Sequence, residues 1–435
     1  MVNDDGPVGL DGLKVEFDDE RVVSDAGAAL VATLAGRLGL EALAGRLVRL
    51  RSEKPGAANA GRKVMALLYA MVLGADSIDD ADVLRAGRMG RLLGGWIPAP
   101  STLGTFLRAF TFGHVRQLDK LLGEALERAW KAGGGPGSDR LVIDIDSFVG
   151  EVCGRLKQGA AYGYTKLLGY HPLLATRADT REVLHIRLRK GSANTQKGAL
   201  RFVEELIARV GRAGATGTKL LRADSGFWNT TVFERLEKAG WRYSIGVRMQ
   251  KGVREAVAAI DEGAWRAIED YPEAGEAQIA ETTYGGRRLI VRRTRLLGPQ
   301  AELWPDWRHF AFITNREEDI ALVEAEHREH AVVEQVIADL KDQALAHFPS
   351  GHFHANGAWA VLACLAHNLL RWTQLLGLPG TTVRAARTLR RWLIGLPGRL
   401  TSHARGFTLH LPARWPWRTS FTEALSRIRA LPAAA

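Results

Sequence analysis

The chain has 435 residues, 46% of them hydrophobic and 25% charged, with a net charge of +11 at pH 7. These values predict a soluble globular protein of two or three domains with a polyanionic partner. The two cysteines, Cys153 and Cys364, lie far apart without a Cys-x-x-Cys spacing, which excludes a disulfide framework or a cysteine zinc site and fits a reducing cytoplasm. Met1–Glu20 is acidic and lacks the basic-then-apolar order of a secretory signal. The longest apolar stretch near the C-terminus, Trp359–Leu370, contains His367 and Asn368 and is too short to span a bilayer, so no membrane partner is expected.

Residues 25–130 read as helical, with helical spacing in Ala29–Leu50, Arg62–Leu73 and Gln117–Lys131. Pro100-Ser101-Thr102-Leu103 reads as a helix start capped by Ser101 or Thr102. Arg46, Arg49, Arg51, Arg62, Lys63, Arg85, Arg88 and Arg91 make residues 1–132 basic, and a helical DNA-binding domain is expected there. The run Gly133–Gly137 reads as a linker.

Leu141–Phe148 is an apolar strand carrying Asp144 and Asp146 two residues apart, so both project to one side. Carboxylates rarely occupy a buried strand unless paired or holding a cation, and a hard divalent ion such as Mg²⁺ prefers such oxygens. Lys157–Tyr170 suits a loop tracking a phosphate backbone through Lys157, Tyr162 and Tyr164, and equally an ordinary turn-rich connection. Strands follow at His171–Thr176 and Val183–Arg189, then a helix at Thr195–Val210. Asp224 ends a short strand, where α/β sheets collect catalytic groups. Asn229 and Thr230 are better placed than Asp224 to cap the helix Thr230–Ala239. A strand at Trp241–Val247 closes the unit.

Residues 250–307 read as a β-rich basic insertion around a hairpin, Ala277–Thr283 and Arg287–Arg293, turned at Gly285-Gly286. Arg287, Arg288, Arg292 and Arg293 are expected to contact phosphates. After a strand at His309–Thr314, one long helix is expected over Ile320–Gln343. His327, His330, Glu334 and Lys341 share a face beside its apolar stripe. No third ligand accompanies His327-x-x-His330 at a zinc-like spacing. Helix continues through Leu370, and residues 376–435 read as basic and helical, with arginines interleaved with Trp392, Trp415 and Trp417.

Asp144/Asp146, Asp224 and Glu334 thus occur in order, with the first two positions separated by the β-β-β-α-β sequence of a ribonuclease H-like core. Two metal ions held by such carboxylates, about 3.5–4 Å apart, support in-line phosphoryl displacement. With these residues the sequence resembles a DDE transposase of a bacterial insertion sequence, of the insertion sequence 1380 branch within the insertion sequence 4 group. The likeness is carried by Asp-Ile-Asp-Ser at 144–147, Lys-Gln-Gly-Ala-Ala-Tyr-Gly-Tyr at 157–164 and Gly-Tyr-His-Pro-Leu-Leu-Ala at 169–175. Arg-Ala-Asp-Ser-Gly-Phe at 222–227 and Glu-x6-Lys from Glu334 to Lys341 complete it.

The resemblance implies an α/β, ribonuclease H-like catalytic domain (138–249 and 308–375) with the β-rich insertion at 250–307. It implies a helical DNA-end-binding region at 1–132 and a basic helical region at 376–435. Catalysis and metal binding fall to Asp144 or Asp146, Asp224 and Glu334, with two Mg²⁺ ions per site. The group's signature Tyr-x2-Arg-x3-Glu-x6-Lys keeps its spacing here, with His327 and His330 in its first two positions. Those histidines and Lys341 are then expected near DNA. Trp265, Trp304 or Trp307 are candidates for holding a flipped base. The implied partner is double-stranded DNA, both terminal inverted repeats and target, bound by a homodimer in the cytoplasm at the nucleoid. A haloacid dehalogenase-type phosphohydrolase also opens on Asp-x-Asp, but Phe148 departs from its motif and Asp224 and Glu334 would be unexplained. A transposase-derived DNA-binding protein without cleavage does not require all three carboxylates.

Overall fold

The computed structural model describes residues 10–434 except 52, 54, 55, 164, 270, 272–274 and 297–306. Its N-terminal part is a set of helices: α1 (Ala28–Arg37), α2 (Leu40–Leu47), α3 (Ala60–Leu73), α4 (Pro100–Arg108) and α5 (Phe112–Ala129). Helix α4 begins at Pro100 itself, with Ala99 at the cap position and no side-chain cap. Ser101 and Thr102 therefore lie inside it, because proline's missing N–H is one of the donors a helix start leaves unpaired anyway. The glycine run expected as a linker is fastened instead. Gly134 is buried and its carbonyl accepts from Arg177 Nη1 at 2.8 Å, while Gly137 O accepts from Thr216 N at 2.9 Å.

Strand β1 (Leu141–Ser147) buries Leu141, Ile143 and Ile145 on one face and turns Asp144 and Asp146 to the other. Chain order then gives β2 (Leu173–Arg177), β3 (Val183–Arg187), α6 (Ala199–Ala213), β4 (Lys219–Ala223), α7 (Thr230–Lys238) and β5 (Arg242–Gly246). Next come α8 (Lys251–Ala258), β6 (Arg266–Ala267), β7 (Glu276–Tyr284), β8 (Arg287–Arg295) and β9 (Arg308–Thr314). All nine strands form one mixed sheet in the order β6-β7-β8-β9-β5-β4-β1-β2-β3. β1, β4 and β5 run parallel, and the remaining pairings are antiparallel. The β7–β8 hairpin turns at Gly285 and Gly286, whose φ of 58° and 73° suit a two-residue loop. It extends the central sheet, because β9 pairs with β8 on one side and β5 on the other.

The helix expected over 320–343 runs as α9 (Ile320–Arg328) and α10 (Val332–Lys341), joined by one 3₁₀ turn at Glu329–Ala331 that keeps helical backbone angles. Helix α11 (Phe353–Gly377) is apolar on nearly all sides, which dictates burial, and it packs against α3, α5 and β3. Its Asn368 closes the edge of β3, accepting from Val183 N at 2.7 Å and donating to Val183 O at 2.8 Å. Residues 376–435 are not wholly helical. Gly398–His403 and Gly406–His410 form a hairpin that pairs with Val22–Val23, favoured by its Thr, Phe and Leu residues and by Gly406 at φ 148°; helix α12 (Arg418–Ala430) follows. The main hydrophobic core draws on residues from Val23 to Ile428, and a small second one of Ile279, Ile290, Phe312, Ile320 and Val323 lies between the hairpin, β9 and α9. Among the described residues no single helix is long and apolar enough to cross a membrane.

Candidate active site

Ile145 of β1 pairs in parallel with Ala223 of β4, so the next residues, Asp146 and Asp224, stand side by side where both strands end. The Asp224 carboxylate accepts from Gly226 N at 3.0 Å, which fixes the tight turn Ser225–Phe227. Gly246 of β5 lies under that turn, where a Cβ would come within 2.8 Å of Ser225 N. Asn229 caps α7 through Thr231 N, so Asp224 is not spent on that helix. Helix α10 lies across this end of β1. His330, just before it, hydrogen-bonds Ile145 O at 3.1 Å, and Glu334 occupies its first turn.

Glu334 and Asp224 are exposed and Asp146 is half-buried. Burial pushes the Asp146 carboxyl up to about 6. The charges of Asp224 and Glu334 add to the rise, and the Ser147 N–H and His330 oppose it. Asp146 is therefore near enough to feel the charges of both other carboxylates. Among the described residues none of them has an ion-pair partner.

Asp144 differs. It is fully buried and bound side-on by Arg222, Nε to Oδ1 at 2.7 Å and Nη2 to Oδ2 at 2.9 Å. Burial pushes its carboxyl up against the pull of that guanidinium.

A protein-family model described as "Transposase DDE domain group 1" matches residues 6–433. The chain belongs to that family. It is a DNA transposase of the DDE type. A solved structure, the cryo-EM structure of the piggyBac transposase synaptic complex with hairpin DNA, aligns at 12% identity and a TM-score of 0.46, covering 86% of this chain and 80% of that one. No protein with curated annotation matches the chain.

Several residues of the transposase expected to touch DNA are engaged internally. Arg287 binds Glu237 side-on at 3.0 and 3.1 Å, and Arg288 binds Glu281 at 2.6 Å and the Arg316 carbonyl at 3.0 Å. Arg292 meets Glu324 at 2.6 Å. Arg293 binds Glu262 and lies between Trp265 and Trp307, 4.1 and 4.5 Å from their ring centres. These contacts tie the hairpin together and fasten it to α7 and α9.

His327 stacks on Phe312 with ring centres 4.1 Å apart and bonds Ser244 Oγ at 2.8 Å. Burial, then His330, Arg222 and Arg292, push its pKa down to about 3, so it is neutral and faces the sheet. Lys157 donates to the Phe348 carbonyl. Tyr162 is exposed, and exposed Lys341 sits 5.5 Å from the Phe148 ring centre at the end of β1. Tyr164 and Trp304 lie outside the described residues.

Sequence reasoning gave no role to His171, although it stands in the Gly-Tyr-His-Pro motif. It is buried, bonds Ala193 O through Nδ1 at 2.5 Å and meets Ser147 Oγ through Nε2 at 3.1 Å. Ser147 Oγ in turn meets Thr195 Oγ1 at 3.2 Å, which ties the loop before α6 to the end of β1.

A second acidic cluster, Asp119, His185 and Glu205, brings its ligand-type atoms within 4.8 Å of one another, closer than the atoms of Asp146, Asp224 and Glu334. Its oxygens are already occupied. Asp119 accepts from Arg209 at 2.6 Å and Arg116 at 2.9 Å; Glu205 accepts from Arg116, Arg187, Arg201 and His185. Burial would raise the Asp119 carboxyl, but Arg209 and His185 more than offset it and hold it far below the usual range. The same opposition, led by His185 and Arg187, holds Glu205 at about 2. A cation placed there would face several guanidinium groups, so the cluster is an ion-pair network that ties α5 and α6 to β3.

Proposed function

We propose that this transposase cuts and rejoins the ends of an insertion sequence by metal-dependent phosphoryl transfer, with Asp146, Asp224 and Glu334 as its catalytic carboxylates. The supporting observation is geometric: Asp146 and Asp224 follow the paired residues Ile145 and Ala223 at adjacent parallel strand ends. Asp146 feels the charges of both Asp224 and Glu334, and no lysine or arginine among the described residues is ion-paired to any of the three. A hard divalent cation is the chemistry that such an oxygen set fits, and two Mg²⁺ ions are proposed. When bound, such ions supply Lewis-acid stabilisation of the attacking and leaving oxygens.

The chain's own residues do the rest. Asp146 and Asp224 present their carboxylates from adjacent strand ends, Glu334 presents a third from α10, and Lys341 offers a positive group for a neighbouring phosphate. The order β3-β2-β1-β4-β5, with β1, β4 and β5 parallel, supports a ribonuclease H-like reading of the core. The insertion sequence 1380 branch, a homodimer on paired terminal inverted repeats, and action in the cytoplasm at the nucleoid belong to the same proposal.

The test is incubation with DNA carrying the element's ends and Mg²⁺. Cleavage by the wild type, lost in Glu334→Gln with end binding retained, supports the reading. End binding without wild-type cleavage would leave a DNA-binding protein only.

A further inference from the structure

Arg222 does more than neutralise Asp144. Its side chain is 2% exposed, and besides the two bonds to Asp144 it donates to the carbonyls of Glu326 and, at 3.3 Å, Glu329. Those carbonyls belong to the end of α9 and the 3₁₀ turn after it, and the Glu329 carbonyl also accepts from Val332 N. The guanidinium thus meets the chain where the regular α-helical ladder gives way to 3₁₀ bonds between α9 and α10. One guanidinium therefore joins β1, β4 and the segment that leads into Glu334. The same segment is held to neighbouring strands by His330 on Ile145 O and His327 on Ser244.

We infer that Asp144 and Arg222 form a positioning pair that sets Glu334 against Asp146 and Asp224, so that Asp144 acts on metal binding without being a ligand. The pair sits two residues back along the same two strands: Asp144 is opposite Arg222, Ile145 is opposite Ala223, and Asp146 and Asp224 follow. A displacement of the α9–α10 turn moves Glu334 while leaving the two strand-end aspartates in place. This inference rests on the proposed carboxylate site.

The experiment is calorimetric titration of Mn²⁺ into the full-length protein, with thermal melting in parallel, for wild type, Glu334→Gln, Asp144→Asn, Arg222→Gln and the double variant Asp144→Leu/Arg222→Met. The expected result is a roughly tenfold or greater loss of Mn²⁺ affinity in every pair variant. The double variant removes both buried charges together, so it is expected to melt close to wild type, which separates lost positioning from lost folding. Arg222→Gln is the sharpest arm, because freeing Asp144 would keep or tighten Mn²⁺ binding if Asp144 were a ligand. Wild-type affinity in the double variant, or unchanged or tighter binding in a folded Arg222→Gln, overturns the inference while Glu334→Gln still weakens binding. Unchanged affinity in Glu334→Gln overturns the carboxylate site itself.

Discussion

Two acidic clusters flank the same sheet and have opposite surroundings. Asp119 and Glu205, with His185 between them, are packed among Arg116, Arg187 and Arg209, and their carboxyls are held low. Asp146, Asp224 and Glu334 stand at the open ends of two strands and a helix with no such counter-charges among the described residues, and the Asp146 carboxyl is pushed up. The tighter cluster is the one already neutralised. Closeness of carboxylates does not make a metal site when guanidinium groups already occupy their oxygens.

The largest effect that would test this contrast is on catalysis. Asp146→Asn, Asp224→Asn and Glu334→Gln are each expected to lower end cleavage by about 10³-fold or more. End binding, measured by gel shift, should stay near wild type. Loss of binding in step with cleavage would make the three carboxylates structural. The other cluster should behave inversely. Asp119→Asn strands a buried guanidinium and is expected to cost about 3–5 kcal/mol of stability. Mn²⁺ affinity per folded molecule should not change; a weaker Mn²⁺ isotherm in that variant would move the metal site to the arginine-rich cluster.

A smaller effect concerns pH. The native protein holds the Asp146 proton more tightly than the unfolded chain, with a pKa of about 6 against 3.8. This group's contribution to stability is therefore full below pH 3.8 and is lost as pH rises through 6. Asp146→Asn should melt higher than wild type at pH 7.5 without divalent ions, by about 1–2 kcal/mol, and no higher at pH 3.5. Adding Mg²⁺ at pH 7.5 should shrink the gap by stabilising the wild type; a gap that does not respond to pH or Mg²⁺ would refute a raised Asp146 carboxyl at a cation site. The smallest effect is at the hairpin. Arg287→Ala should cost about 1 kcal/mol through its lost bond to Glu237 and leave the salt dependence of DNA binding unchanged. A decrease of about one in the slope of log affinity against log salt would instead place Arg287 on a phosphate.

Much of the fold was legible because its signals are local. Period-two alternation located β1, and Gly285-Gly286 located the β7–β8 turn. What failed depended on partners distant in the chain. Strand alternation puts Asp144 and Asp146 on one face, and only the cross-strand neighbour, Arg222 for one and Asp224 for the other, separates them. The internal ion pairs of the hairpin arginines could not be read either, because Glu237, Glu262 and Glu324 approach them from other elements. The 3₁₀ turn between α9 and α10 carries no glycine or proline; a guanidinium from β4 meets its carbonyls. The Asp119–His185–Glu205 network draws on three elements and leaves no motif.

Val22 and Val23 zip onto Arg399 and Gly398, and α3 and α5 bury their apolar faces on α11. The opening helices must therefore wait for the ribosome to deliver almost the whole polypeptide before their seam can close. Until then the nascent chain exposes a broad greasy surface, a state prone to aggregation and to chaperone capture. Expression of the first 132 residues alone would reproduce that half-made condition, and trimming from either terminus would unpick the same stitch.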